Sequence, residues 1–283
     1  METSMDIRNI KKQADEIYLK YRNQIIPEFF YIGYVSILAQ YLQSGLFSFF
    51  VSLFLCPIAH GYVCCAIKLV DQEDATIDYQ DSLVGIIDFV RVAPAYLAKK
   101  AIILLLSMIA MVLLCSICQM SIPAFSLELI STLGNAFIQT DFFIPNLMEA
   151  EYILNNISVL FVVFVSSGVY LLLTTLFMAV PYIIEEDEYS WLEALQYSFH
   201  LIMKNIISYC QLYFLYFPRH IAYGVCTGFI SLLVGQLNEI LMLFCLVFSL
   251  FFYFDVFKGR FEIAKYIYYK EIRGDKNEGF INS

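Results

Sequence analysis

Residues 99–120 read KKAIILLLSMIAMVLLCSICQM: two lysines, then a long run without a single formal charge. At 1.5 Å rise per residue, a helix of about 20 apolar residues covers the roughly 30 Å of hydrocarbon in a bilayer. The stretch predicts a membrane-spanning helix over 98–120 with a cationic end. Apolar runs of this kind recur near 27–43, 46–68, 157–183, 206–235 and 239–257, making six in all. Arg8, Lys11, Lys12, Lys20 and Arg22 precede the first run. Lys68, Arg91, Lys99 and Lys100 lie between the second and third, Lys204 lies between the fourth and fifth, and Lys258, Arg260, Lys265, Lys270, Arg273 and Lys276 follow the last. The three connections on the opposite side hold no Lys or Arg, so the positive-inside rule predicts a multi-pass plasma-membrane protein with both termini cytoplasmic. Arg219 alone falls in the interior of a run rather than at its end.

Composition points the same way. A chain that is 60% hydrophobic and 15% charged is too apolar for a soluble globule of this length. The net charge of -9 argues against nucleic acid as a partner, because a phosphate-binding face needs clustered cations. The N-terminal 24 residues are too charged for a signal-peptide apolar core. All eight cysteines sit in or beside apolar runs, which excludes a disulfide-stapled external domain and favours a packing role for Cys64-Cys65 and Cys115-Ser116-Ile117-Cys118. The expected fold class is all-α, with an amphipathic N-terminal helix in residues 1–25, a six-helix transmembrane domain in 26–257 and a cytoplasmic tail in 258–283.

Three cytoplasmic segments carry helical amphipathic patterns, each ahead of a pair of spans. In 5–24, Ile7, Ile10, Ala14, Ile17 and Tyr18 form one apolar stripe. In 78–90, Leu83, Ile86, Ile87 and Val90 share a face. The third begins at Ser190, where Glu193 completes a capping-box pattern and Trp191, Leu195, Phe199 and Ile202 follow at helical spacing. The long connection 121–156 is acidic and partly apolar, which suits a segment lying on the outer surface.

The third segment carries a resemblance. Met178-Ala179-Val180-Pro181-Tyr182-Ile183-Ile184-Glu185-Glu186, then Ser190, Ala194-Leu195, Ser198 and Leu201-Ile202-Met203-Lys204-Asn205, resembles a bacterial six-span integral membrane family of unknown function. That family is similar to the membrane domain attached to some glycerophosphodiester phosphodiesterases. Pro57 and Gly61 match its Pro and Gly pair. The chain departs from the pattern in lacking a Gly between Lys204 and Asn205, and in placing Pro218-Arg219-His220 where relatives stay aromatic and apolar. The resemblance implies a six-helix membrane fold and supplies no activity, because the phosphodiesterase chemistry belongs to a separate soluble domain.

Few residues are equipped for chemistry. The fifth run is longer than a bilayer requires, and Pro218 is the expected break. If the span starts near Pro218, Arg219 and His220 lie at the cytoplasmic headgroups. If it starts at Ile206, Arg219 is buried and needs a carboxylate or water. His60, three residues past Pro57, is the other candidate, since a proline-kinked helix frees a carbonyl beside it. His60, Arg219 and His220 therefore form the candidate intramembrane polar site. Glu28 and Asp255 sit at cytoplasmic span ends, where solvation accounts for them. The tandem Glu185-Glu186 lacks the following Arg of CAAX-type intramembrane proteases, and the three histidines, His60, His200 and His220, are too scattered for a zinc site. No enzyme, metal or cofactor is expected. A structural or accessory membrane component is favoured over a transporter or permease of small molecules or lipids. The partners expected are the lipid bilayer and, through the aromatic-rich helices, another membrane protein or a second copy.

Overall fold

The computed structural model describes residues 6–41, 56–118, 157–186, 189–235, 245, 248 and 251–280. Among these residues every regular element is helical and none is a strand, as the sequence predicts. The helices are α1 (Ile7–Tyr41), α2 (His60–Asp71), α3 (Tyr79–Ile87), α4 (Phe89–Ile117), α5 (Ile157–Leu176), α6 (Val180–Glu186), α7 (Trp191–Gly235) and α8 (Gly259–Phe280). A 3-10 turn, Cys56–Ala59, leads into α2, and a π-helical turn, Phe254–Lys258, leads into α8. The connection 121–156 and large parts of the runs 46–68 and 239–257 lie outside the described residues.

Two helical stretches, Phe89–Ile117 and Phe164–Glu186, are long and apolar enough to cross a membrane. Only 22% of the apolar window in the first is buried, which is unlike the core helix of a soluble protein. Leu105, Ile109, Val112, Leu113 and Ile117 on α4, with Phe161 and Phe164 on α5, are exposed.

The two halves expected of the N-terminal region form one helix. α1 runs unbroken through Pro27, which lies on the exposed side, so the carbonyl it leaves without an amide partner is not sealed in the core. Its predicted stripe exists, but it packs on protein rather than on lipid. Ile7, Ile10, Ala14, Tyr18, Ile25 and Phe29 are buried, chiefly against α8. The second amphipathic segment behaves in the opposite way. Asp78 and Asp81 form a capping box at the start of α3, in which Asp81 Oδ2 accepts the Asp78 N–H at 2.8 Å, and the helix buries Ser82 and Gly85 while Ile86 and Ile87, with Val90 at the start of α4, face outward. The third is capped as read: Glu193 Oε2 accepts from the Ser190 amide at 2.9 Å and from its hydroxyl at 2.7 Å. Its stripe divides, with Leu195 and Ile202 buried and Trp191 and Phe199 exposed.

The expected break at Pro218 is not where α7 departs from helical geometry. Asn205 does so, with φ -118° and ψ 16°, while the helix continues through Pro218. The backbone tolerates this because side chains replace the lost bonds. The Asn205 carbonyl accepts from the Tyr268 and Ser208 hydroxyls, both at 2.8 Å, and Asn205 Nδ2 donates to the Leu201 carbonyl at 2.9 Å.

Residues 258–283, read as a tail, contain α8, whose described residues include much of the core. Ile263, Ala264, Tyr266, Tyr268 and Tyr269 are fully buried. Tyrosine rings lock the layer: Tyr182 stacks on Tyr269 at 5.3 Å, Tyr209 meets Tyr268 edge-on at 5.5 Å, and Tyr216 meets Phe261 at 5.3 Å.

Candidate functional site

Three helices converge on His60. The 3-10 turn Cys56–Ala59, which contains Pro57, delivers it as the first residue of α2, and two glycines allow the neighbouring backbones to close in. A Cβ on Gly61 would lie 2.2 Å from the Ser82 carbonyl oxygen, and one on Gly85 would lie 1.9 Å from that of Pro57. His60 is fully buried. Its Nδ1 lies 3.1 Å from the Tyr96 hydroxyl on α4, and its Nε2 lies 3.0 Å from Glu185 Oε2 on α6. The same carboxylate oxygen accepts from Arg91 Nη2 at 2.7 Å, while Arg91 Nη1 donates to the Ile184 carbonyl at 3.1 Å. Asp88 adds a second carboxylate, 3.3 Å from Arg91 Nη2. Cys64, one helical turn beyond His60, is a half-buried free thiol on the same side. The site opens on a cleft of ≈ 360 Å³ lined by Arg91, Ala95, Ile184, Glu185, Tyr189 and Trp191, among others.

The tandem glutamates serve different helices. Glu185 ties α6 to α2 and α4, whereas Glu186 ties it to α8 through Arg273 and the Tyr266 hydroxyl. That hydroxyl lies between Glu186 and Asp71, and Lys270 closes the network on Asp71 at 2.6 Å. Burial, then the two carboxylates, push the Tyr266 phenol far above its ordinary range, so it remains a proton donor.

Arg219 and His220 occupy different surroundings from His60. Arg219 is half-buried, and its Nη1 lies 3.7 Å from Asp15 Oδ1 on α1. Arg260 of α8 reaches the same oxygen at 2.9 Å. His220 packs its ring on Phe257 at 4.7 Å and on Tyr253 at 6.0 Å. Asp255, read as solvated, accepts from Tyr18 at 2.7 Å and from Arg22 Nε at 2.7 Å.

Sequence reasoning did not bring Arg91, Tyr96, Cys64 and Glu185 to His60. The spacing of His60 and Cys64, one turn apart on one helix, was the visible signal. The others lie 31 to 125 positions away along the chain, and nothing in a linear pattern joins them. Comparison of the chain with known protein families, with curated proteins and with solved structures finds no match.

Proposed function

We propose that this protein is a multi-pass integral membrane component, non-enzymatic and structural or accessory in role, with six spans and both termini in the cytoplasm. In this reading it resides in the plasma membrane and shares its fold with the bacterial six-span family that residues 178–205 resemble. The amphipathic segments, the first half of α7 and α8 form a packed cytoplasmic layer beneath the spans. In this reading Arg219, which lies 3.7 Å from Asp15, sits at the cytoplasmic headgroups where the fifth run leaves that layer.

The observation that carries the accessory role is the pairing of polar side chains inside a closely packed layer. A permease needs His60, Arg219 and His220 to face one wet path. His60 is instead enclosed by Tyr96 and Glu185, Arg219 is drawn to Asp15, and His220 lies on aromatic rings. The exposed apolar faces of α3, α4 and α5 offer surface to lipid or to another membrane helix.

A cysteine-accessibility scan on a cysteine-free background tests this. A membrane-impermeant thiol reagent is expected to leave position 60 unmodified from either side and to reach 219 only from the cytoplasm. Proteoliposomes should pass ions and small solutes no faster than protein-free vesicles. Labelling at 60, together with a flux that substitutions at 60 or 219 abolish, would establish the transporter reading instead.

A further inference from the structure

A ring nitrogen of His60, Cys64 Sγ and a Glu185 carboxylate oxygen all lie within 4.8 Å of one another, and His60 Nε2 is the nitrogen that faces Glu185 Oε2. We propose that these three groups form a binding site for a zinc-class divalent transition metal, which clamps α2 to α6. The inference does not rest on the accessory role proposed above.

The geometry is close to what such an ion requires. Bonds of about 2.0–2.3 Å to nitrogen, oxygen and sulfur place the ligand atoms of a tetrahedral zinc roughly 3.3–3.8 Å apart. His60 Nε2 and Glu185 Oε2 already stand 3.0 Å apart, so side-chain adjustments of tenths of an ångström suffice at that edge. His60 and Cys64 occupy positions i and i+4 of α2, which sets both donors on one face, and Glu185 approaches from α6. One thiolate, one imidazole and one carboxylate is a borderline donor set. It suits zinc or cobalt and disfavours the all-oxygen preference of magnesium and calcium.

The surroundings supply what a metal-bound histidine needs. Tyr96 holds Nδ1 at 3.1 Å, and its hydroxyl oxygen can accept the Nδ1 proton that the ring carries once Nε2 binds the ion. Charge also balances. Before binding, Glu185 and Asp88 bring two negative charges against the single positive charge of Arg91. As the metal–sulfur bond forms, the Cys64 thiol releases its proton to water, and the third negative charge so created completes neutralisation of a divalent ion. Arg91 keeps its bond to Glu185 and fixes the carboxylate, much as other second-layer partners do in metal sites. Three protein ligands leave one coordination position for water or a small anion, and Glu185 is the ligand that also lines the neighbouring cleft.

Cobalt(II) is the probe. Full-length protein in detergent, reduced and stripped with chelator, is titrated with the ion and followed by absorption. Wild type is expected to develop a near-ultraviolet thiolate-to-cobalt band and the strong visible bands of a tetrahedral ion, saturating at a single equivalent and bleached by zinc. Cys64→Ser should lose the thiolate band, with Cys65→Ser retaining it. Tyr96→Phe, which keeps the ligands but removes the partner of Nδ1, should weaken zinc binding about 10- to 100-fold. Thermal melting of the metal-free variants checks that they fold. No thiolate band in wild type, a band unchanged in Cys64→Ser, or undiminished affinity in Glu185→Gln would each overturn the assignment.

Discussion

A methyl group at Gly85 would meet the carbonyl oxygen of Pro57 at 1.9 Å, and one at Gly61 would meet that of Ser82 at 2.2 Å. Both obstacles are backbone atoms and cannot swing aside, so α2, α3 and the turn before them owe their close approach to missing side chains. Gly85→Ala is expected to lower stability by about 1–3 kcal/mol, in the range of overpacked cores, and to loosen the positioning of His60. A thermal melt in detergent reads the first effect, and a melting temperature equal to wild type would show that the helices need not touch. The importance of Gly61 was partly legible, because it stands four residues after Pro57 in a recognisable pair. Gly85 carried no signal, since its partner is a backbone atom 28 positions earlier whose location depends on how two helices cross.

α8 shows how an element can be misread when hydropathy is the guide. Its lysines, arginines and glutamates give it the look of a solvated tail, yet Glu262 is buried between Lys258 and Lys265, at 2.9 and 2.7 Å. Burial alone pushes the Glu262 carboxyl up, but the two lysines outweigh it and hold the group below its ordinary value of 4.5. A depressed folded-state value means that the stabilisation is complete above the ordinary carboxylate range and is lost as pH falls through the lowered value. Wild type should therefore lose stability below about pH 4.5, and Glu262→Gln should flatten that part of the profile. Glu262→Ala, which leaves two ammonium groups poorly solvated, is expected to cost about 3 kcal/mol at neutral pH. Equal acid sensitivity in wild type and Glu262→Gln would mean that another carboxylate governs the transition. The Ser190 capping box was readable in advance because capping is local. The break at Asn205 was not, because the Tyr268 hydroxyl that compensates it arrives from 63 residues away.

At the scale of the whole molecule, the exposed apolar face of α4 argues for lipid contact. Ile109, near the middle of the run 98–120, is 47% exposed. Ile109→Arg is expected to impair insertion, by about 2.5–3.5 kcal/mol on translocon scales, and to reduce the protein recovered in the membrane after alkaline extraction. Full recovery of that variant would place the face against protein or water. The sequence by itself determined the helical class, the two apolar stretches long enough to cross a membrane, the capped start of α7 and the segregation of cations, because each depends on residues within a few turns of one another. Only the tertiary structure decided that the amphipathic stripe of α1 faces α8, that the apparent tail is core, and that His60, Tyr96, Arg91 and Glu185 meet. Ion pairs and ring contacts act over a few ångströms in space, and distance along a chain says little about which groups folding brings within that reach.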